Sequence, residues 1–168
     1  VANIFYAAKA AGVDVDYVRV MSGVRSALYL AVLDQHGHLS VSIGEMDCLD
    51  RINPTYIYAH RELIDHARMV VVDANLTTAA IGTIVALAKR RRVPVCMATV
   101  ASALAPKAKR YLHDYQIVIG NADEMSVLSG QTITGVPEAG AAAHQLAAKG
   151  AKVVIITLGV QGVVYASN

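Results

Sequence analysis

The sequence predicts an α/β fold: a mainly parallel β-sheet flanked by helices, with a small antiparallel β ribbon ahead of it. Three observations predict it. From residue 53 onward, short apolar runs alternate with stretches of helical periodicity, the pattern of parallel βαβ units. Before that point, strand-like runs follow one another with no helix between them, the pattern of antiparallel strands. Hydrophobic residues make up 55% of the chain and charged residues 17%. That balance excludes a disordered chain and suits a buried parallel sheet. The expected organisation is residues 1–52 as an N-terminal helix and ribbon, and residues 53–168 as an α/β core.

Residues 1–11 carry apolar side chains at helical spacing, and Gly12 offers a C-cap. An alternating run at 17–20 reads as a strand, and 27–34 as a second. Gln35-His36-Gly37-His38 is a turn, and 39–43 alternate as a third strand. Asp50-Arg51-Ile52-Asn53-Pro54 marks the passage into the core, with Asn53 as cap of a helix that opens at Pro54. A fully apolar strand spans 69–72. Thr77 or Thr78 opens a helix to Ala88, and Lys89-Arg90-Arg91-Arg92 closes it with cations that favour the helix dipole. The next strand is 93–97. Ser102 reads as the cap of a helix to Leu112, with Pro106 in its opening turns. A strand at 115–119 leads to Asn121, which starts a helix to Leu128. Pro137 opens the last long helix, which runs to Lys149 and is closed by Gly150. Runs at 153–156 and 162–166 read as a hairpin.

Composition excludes several function classes. A net charge of +2 gives no case for nucleic acid. No apolar run approaches the roughly 18 residues of a membrane span, and no basic n-region precedes the first helix. Cys48 and Cys96 have neither metal spacing nor a partner motif and read as reduced thiols of a cytoplasmic protein. His36-x-His38 has chelating spacing but sits in a turn, and the other histidines are scattered.

Two strands end in small polar motifs. Ile117-Val118-Ile119 is followed by Gly120-Asn121-Ala122-Asp123-Glu124, and Val153-Val154-Ile155-Ile156 by Thr157-Leu158-Gly159-Val160-Gln161-Gly162. In open α/β sheets ligands bind at the carboxyl ends of strands, so the pair is a candidate nucleotide site. Each motif also has a plainer explanation. Asn121 with Glu124 three residues on is close to a capping box, which occupies both side chains with backbone N–H groups. The glycines of the second motif suit a tight turn; the functional reading adds that such a turn aims N–H groups at phosphate oxygens. Asp73 and Asn75, after the strand ending at Val72, suit either a helix cap or a ligand contact.

In order and over nearly the whole chain, these motifs resemble those of the ribokinase-like (PfkB) family of carbohydrate and nucleoside kinases. Val72-Asp73-Ala74-Asn75-Leu76 is most similar to the family's pseudouridine kinases. The resemblance implies a ribokinase-like, Rossmann-type sheet with the ribbon as a lid over the sugar site, truncated at both ends. It implies transfer of the ATP γ-phosphate to a hydroxyl of a small-molecule sugar or nucleoside, with Mg²⁺ and, as an optional further ion, K⁺. Asn121, Glu124, Thr157, Leu158, Gly159, Val160, Gln161 and Gly162 would bind ATP, with Glu124 also organising Mg²⁺. Asn75 and Asp73 would bind the sugar. In several members two lids pair, which implies a homodimer. A ribokinase- or fructokinase-type sugar kinase is one alternative. A non-catalytic relative, a dimerising module that keeps the lid and binds a nucleotide weakly or not at all, is another.

The chain departs from the family pattern in places. Gly120 stands where Pro is common. Ala98-Thr99 replaces an acidic or amide residue followed by Pro, and Ser26-Ala27 replaces a Thr-Gly pair. Lys107 matches a lysine of pseudouridine kinases in position, though a surface lysine is the simpler reading. In the family the catalytic base is an Asp in a Gly-Ala-Gly-Asp-type motif at a helix N-terminus. No Gly-x-Gly-Asp occurs in this sequence, and the family's Gly-Gly substrate motif is absent too. The expectation is therefore a central piece of a kinase, without the catalytic Asp and inactive alone.

Overall fold

The computed structural model describes residues 2–35 and 39–168; the expected turn at 36–38 falls outside them. The chain divides into two compact units, Val1–Leu49 and Asp50–Asn168.

In the first unit, helix α1 (Ala2–Ala10) ends just before Gly12, whose φ of +79° is the left-handed conformation that favours glycine. Strands β1 (Leu28–Leu33) and β2 (Leu39–Glu45) pair antiparallel, with a register shift at Val32/Leu33. The strand expected at 17–20 does not form. Residues there run irregularly, with a turn in which Val18 N–H donates to Val15 C=O at 3.0 Å. Alternation makes a strand only where a neighbouring ladder takes up the backbone groups. The ribbon is therefore two-stranded, and every β1 side chain is exposed, on both faces.

The second unit is a five-stranded sheet in the order β3-β4-β5-β6-β7, flanked by helices. Strands β3 (Val70–Asp73), β4 (Val95–Ala98), β5 (Ile117–Asn121) and β6 (Val153–Thr157) are parallel; β7 (Val163–Ser167) runs antiparallel to β6 as the expected hairpin. Helices α2 (Pro54–Ala59) and α3 (Arg61–His66) precede β3, and Asn53 caps α2 by accepting from Tyr56 N–H at 3.0 Å. Helix α4 (Thr78–Arg91) buries Ala80, Ile81, Ile84, Val85, Leu87 and Ala88, one apolar stripe. Thr77 caps it, and Lys89 and Arg91 at its basic end pair with Asp114 and Asp65. Helix α6 (Ala122–Ser129) follows β5, and α7 (Val136–Ala148) packs on β6 and β7. Alanines at 139, 142, 143 and 147 are buried there, and small side chains let the helix lie close to the sheet.

The helix expected from Ser102 to Leu112 shortens to α5 (Pro106–Lys109) and a 3-10 turn at Leu112–Asp114. Val100 enters this segment at φ +66°, sterically costly for a β-branched residue, and α5 has no side-chain N-cap. Alternate strand residues Val95, Met97, Val118, Val154 and Ile156 are sealed in the core. Both cysteines are free, and burial pushes the Cys96 thiol up.

Candidate nucleotide and substrate site

β5 delivers Asn121 to the N-cap of α6. The Asn121 side chain accepts from Glu124 N–H at 2.9 Å, and Glu124 accepts from Asn121 N–H at 3.2 Å, a complete capping box. The amide of Asn121 also donates to Glu124 Oε1 at 2.9 Å. A further donor comes from the residue after β4: the Thr99 hydroxyl reaches Glu124 Oε2 at 2.6 Å. Thr99 is fully buried and Glu124 is 6% exposed, so this carboxylate is enclosed and held from two strand ends.

Gly120 follows from that packing. A Cβ at this position would collide with Thr99 Oγ1 and crowd Glu124 Oε2. The Pro common in the family would meet the same obstacle, and here the space belongs to a hydroxyl–carboxylate contact.

β6 delivers the second motif. Thr157 ends the strand, a 3-10 turn spans Gly159–Gln161, and Leu158 N–H donates to Gly162 C=O at 2.8 Å. Gly162 adopts φ 92°, ψ −137°, a conformation essentially reserved for glycine. In the parallel ladder Asn121 is the direct partner of Thr157. Register thus sets the two motifs side by side around one cleft of about 300 Å³. Its lining is Asn121, Ala122, Asp123, Ile133, Thr134, Thr157, Leu158, Gly159 and Gln161. Of the residues expected at the nucleotide, Glu124, Val160 and Gly162 lie outside this lining. Ala122, Asp123, Ile133 and Thr134 were not among the expected residues. Ile133 and Thr134 sit in the α6–α7 loop, where the only sequence signal is a loop following a candidate motif.

At the end of β3, Asp73 Oδ1 accepts from Asn75 N–H at 2.8 Å, which fixes the turn; the helix cap is Thr77. Neither Asp73 nor Asn75 lines the cleft. Lys107 is not a free surface lysine. It is half-buried, and its Nζ donates to the carbonyls of Ala74 (2.9 Å) and Leu76 (3.0 Å), clasping the turn that carries Asn75. Ala98 contributes only backbone there, accepting from Ala74 N–H at 2.9 Å. Among the described residues, no three His, Cys, Asp or Glu side chains gather as a metal cluster, and no helix is long and apolar enough to cross a membrane.

The model of the pfkB family of carbohydrate kinases matches residues 3–168. This chain belongs to that family. Among its pfkB relatives, pseudouridine kinase of Escherichia coli (strain K12) is 28% identical over 154 residues, 92% of this chain and 49% of the relative. Ribokinase from Giardia lamblia superposes with a TM-score of 0.81 at 14% identity, covering 99% of this chain and 52% of that one. Arabidopsis thaliana ribokinase, solved with ribose and ATP, gives 0.70 at 20% identity over 94% of this chain and 50% of that one. The fold is therefore ribokinase-like, and the chain spans about half the length of the relatives it matches. Two of its departures from the pfkB pattern meet: Thr99 and Gly120 both pack against Glu124, and Ala98 adjoins Thr99.

Proposed function

We propose that this pfkB-family chain carries the nucleotide-binding part of a kinase that transfers the γ-phosphate of ATP to a hydroxyl of a sugar or nucleoside of the pseudouridine type. The observation that supports this most is the register of Asn121 beside Thr157, which opens a single cleft between their motifs. Phosphoryl transfer is chiefly positioning and charge neutralisation. By helix geometry, the N–H groups of Ala122 and Asp123 in the first turn of α6 have no intrahelical acceptor, and both residues line this cleft together with Gly159 and Gln161 of the turn. Both can face phosphate oxygens. Mg²⁺, when bound with ATP, supplies neutralisation of the charge on the transferring phosphate. The carboxylates that could hold it are Asp123 and Glu124 on the first turn of α6.

ATP follows the Arabidopsis ribokinase, and the pseudouridine type follows the Escherichia coli relative. Asn75 and Asp73 are the side chains proposed to face the sugar, on a turn held by Lys107. The same site would also serve a ribokinase- or fructokinase-type substrate. A dimer through the β1–β2 ribbon belongs to this proposal, supported by the apolar side chains that both strands expose. A second reading, a non-catalytic relative, is favoured by Ala98, which brings no hydrogen-bonding side chain to the end of β4.

Calorimetric titration with ATP and Mg²⁺ separates the two. Saturable binding, competed by ADP, is expected. A flat titration would replace the kinase reading with the non-catalytic one. Pseudouridine against ribose as second ligand then tests the substrate class.

A further inference from the structure

We infer, on the reading of Asn75 as a sugar contact, that Lys107 is the positioning residue for it. The Lys107 ammonium ties down the two carbonyls that flank Asn75, and so presents the Asn75 amide to a sugar or nucleoside in one direction.

The turn after β3 is fixed from several sides. Ala74 N–H donates to the Ala98 carbonyl at 2.9 Å, and Asn75 N–H donates to Asp73 Oδ1 at 2.8 Å. Lys107 Nζ donates to the carbonyls of Ala74 at 2.9 Å and Leu76 at 3.0 Å, one on either side of Asn75. Ala74 is fully buried, so without the ammonium its carbonyl would lose this partner away from water. The Asn75 side chain itself is half-buried, and among the described residues it takes part in no hydrogen bond. A rigid backbone thus carries a donor–acceptor group that is left for a ligand.

An ordinary surface lysine keeps its ammonium in water. Lys107 instead gives two of its three N–H donors to one turn, 33 and 31 residues away in sequence. The connection after β4 brings it there. Val100 at φ +66° redirects the chain, and α5 is four residues long. Such a backbone conformation is costly for a β-branched residue and tends to be kept where a functional site requires it. Asp73, Asn75 and Lys107 all lie outside the cleft between the Asn121 and Thr157 motifs, and β4 stands between β3 and β5. Loss of the clasp should therefore be felt by the sugar and not by the nucleotide. The rival explanation is a clasp that serves stability alone.

Calorimetric titrations of the wild-type chain and Lys107→Met with pseudouridine, ribose and ATP plus Mg²⁺, together with melting curves and amide hydrogen exchange, separate the two. In Lys107→Met, whichever of pseudouridine and ribose binds wild type more tightly is expected to bind about tenfold more weakly, the scale of hydrogen bonds lost from a charged group. The affinity for ATP with Mg²⁺ is expected to stay at the wild-type value. Exchange of the Asn75 amide is expected to speed up, and that of the Glu124 amide in the α6 cap to stay unchanged. If this variant does not fold, Lys107→Gln, which keeps N–H donors on a shorter neutral side chain, takes its place with the same expectations. An earlier melt with both affinities unchanged overturns the inference in favour of the stability clasp. So does a loss of ATP affinity in step with that of the sugar, and so does wild-type exchange at Asn75. Wild-type chain that binds neither pseudouridine nor ribose overturns the sugar reading of Asn75 itself, and this inference with it.

Discussion

Thr99 is the residue on which the local chemistry turns. Its hydroxyl, fully buried, is shared between Glu124 Oε2 at 2.6 Å and the carbonyl of Ile119 at 3.2 Å. Gly120 exists in its present form because that hydroxyl fills the space a Cβ would take. Gly120→Ala is therefore expected to force Thr99 and Glu124 apart and to destabilise the chain by roughly 1–3 kcal/mol, as overpacking does; urea unfolding measures it. A destabilisation indistinguishable from zero would show that the pair yields freely.

Tyr115 presents the reverse case. Its ring is buried, and its hydroxyl has no hydrogen-bond partner among the described residues. Tyr115→Phe is expected to leave stability unchanged or raise it by about 1 kcal/mol, because an unsatisfied buried hydroxyl is costly. Burial first, then Tyr111 and Asp114, pushes the phenol above its usual range. The folded state thus holds this proton more tightly than the unfolded chain. The contribution is complete below the unfolded value of about 10 and is lost as pH rises past it. Stability measured at increasing alkaline pH should fall more steeply for wild type than for Tyr115→Phe. Parallel curves would contradict the assignment.

At the scale of elements, the first motif both closes a helix and forms part of the cleft wall. The Asn121–Glu124 capping box closes α6, and the helix it closes brings its first turn to the cleft. Asn121→Ala should cost about 1 kcal/mol as a lost cap, and thermal melting of the variant checks it. If ATP binding weakens by more than the melting shift accounts for, Asn121 also touches the nucleotide. α5 shows how an element fails to extend. The stretch from Ser102 had a cap residue and Pro106 near its start, yet Val100 at positive φ and the lack of a side-chain cap leave four helical residues. The short form has a use, since it presents Lys107 to the carbonyls of Ala74 and Leu76.

At the scale of the molecule, both strands of the ribbon and both outer strands of the sheet expose apolar side chains. Leu28, Tyr29, Leu30, Val32, Leu33, Val41 and Ile43 of the ribbon are exposed, and so are Val71 of β3 and Val163 and Tyr165 of β7 on the outer strands of the sheet. A two-stranded ribbon is marginal by itself, and contiguous apolar surface marks a place of association. Light scattering during gel filtration is expected to give at least twice the 17.8 kDa of one chain. Replacing Leu30 and Ile43 by serine should return it to 17.8 kDa. A single-chain mass for wild type would remove the ribbon from the list of interfaces.

The alternation of strand and helix from residue 53 onward, the caps at Asn53 and Asn121, a helix start at Thr77 or Thr78, and the closing hairpin were all determined by sequence alone. Apolar periodicity, capping side chains and turn glycines act within a few residues of themselves, so they can be read locally. The same local reading misplaced 17–20, where alternation had no ladder to join, and it overextended the helix after Ser102. It identified the two polar motifs but not their mutual geometry. Only the tertiary structure decided that Asn121 pairs with Thr157, that Glu124 turns inward to Thr99 while Asp123 stays at the cleft, and that Lys107 clasps the turn after β3. The register and the Thr99 and Lys107 contacts join residues far apart in sequence. The direction of each side chain is settled by the neighbours it meets, which no local pattern encodes.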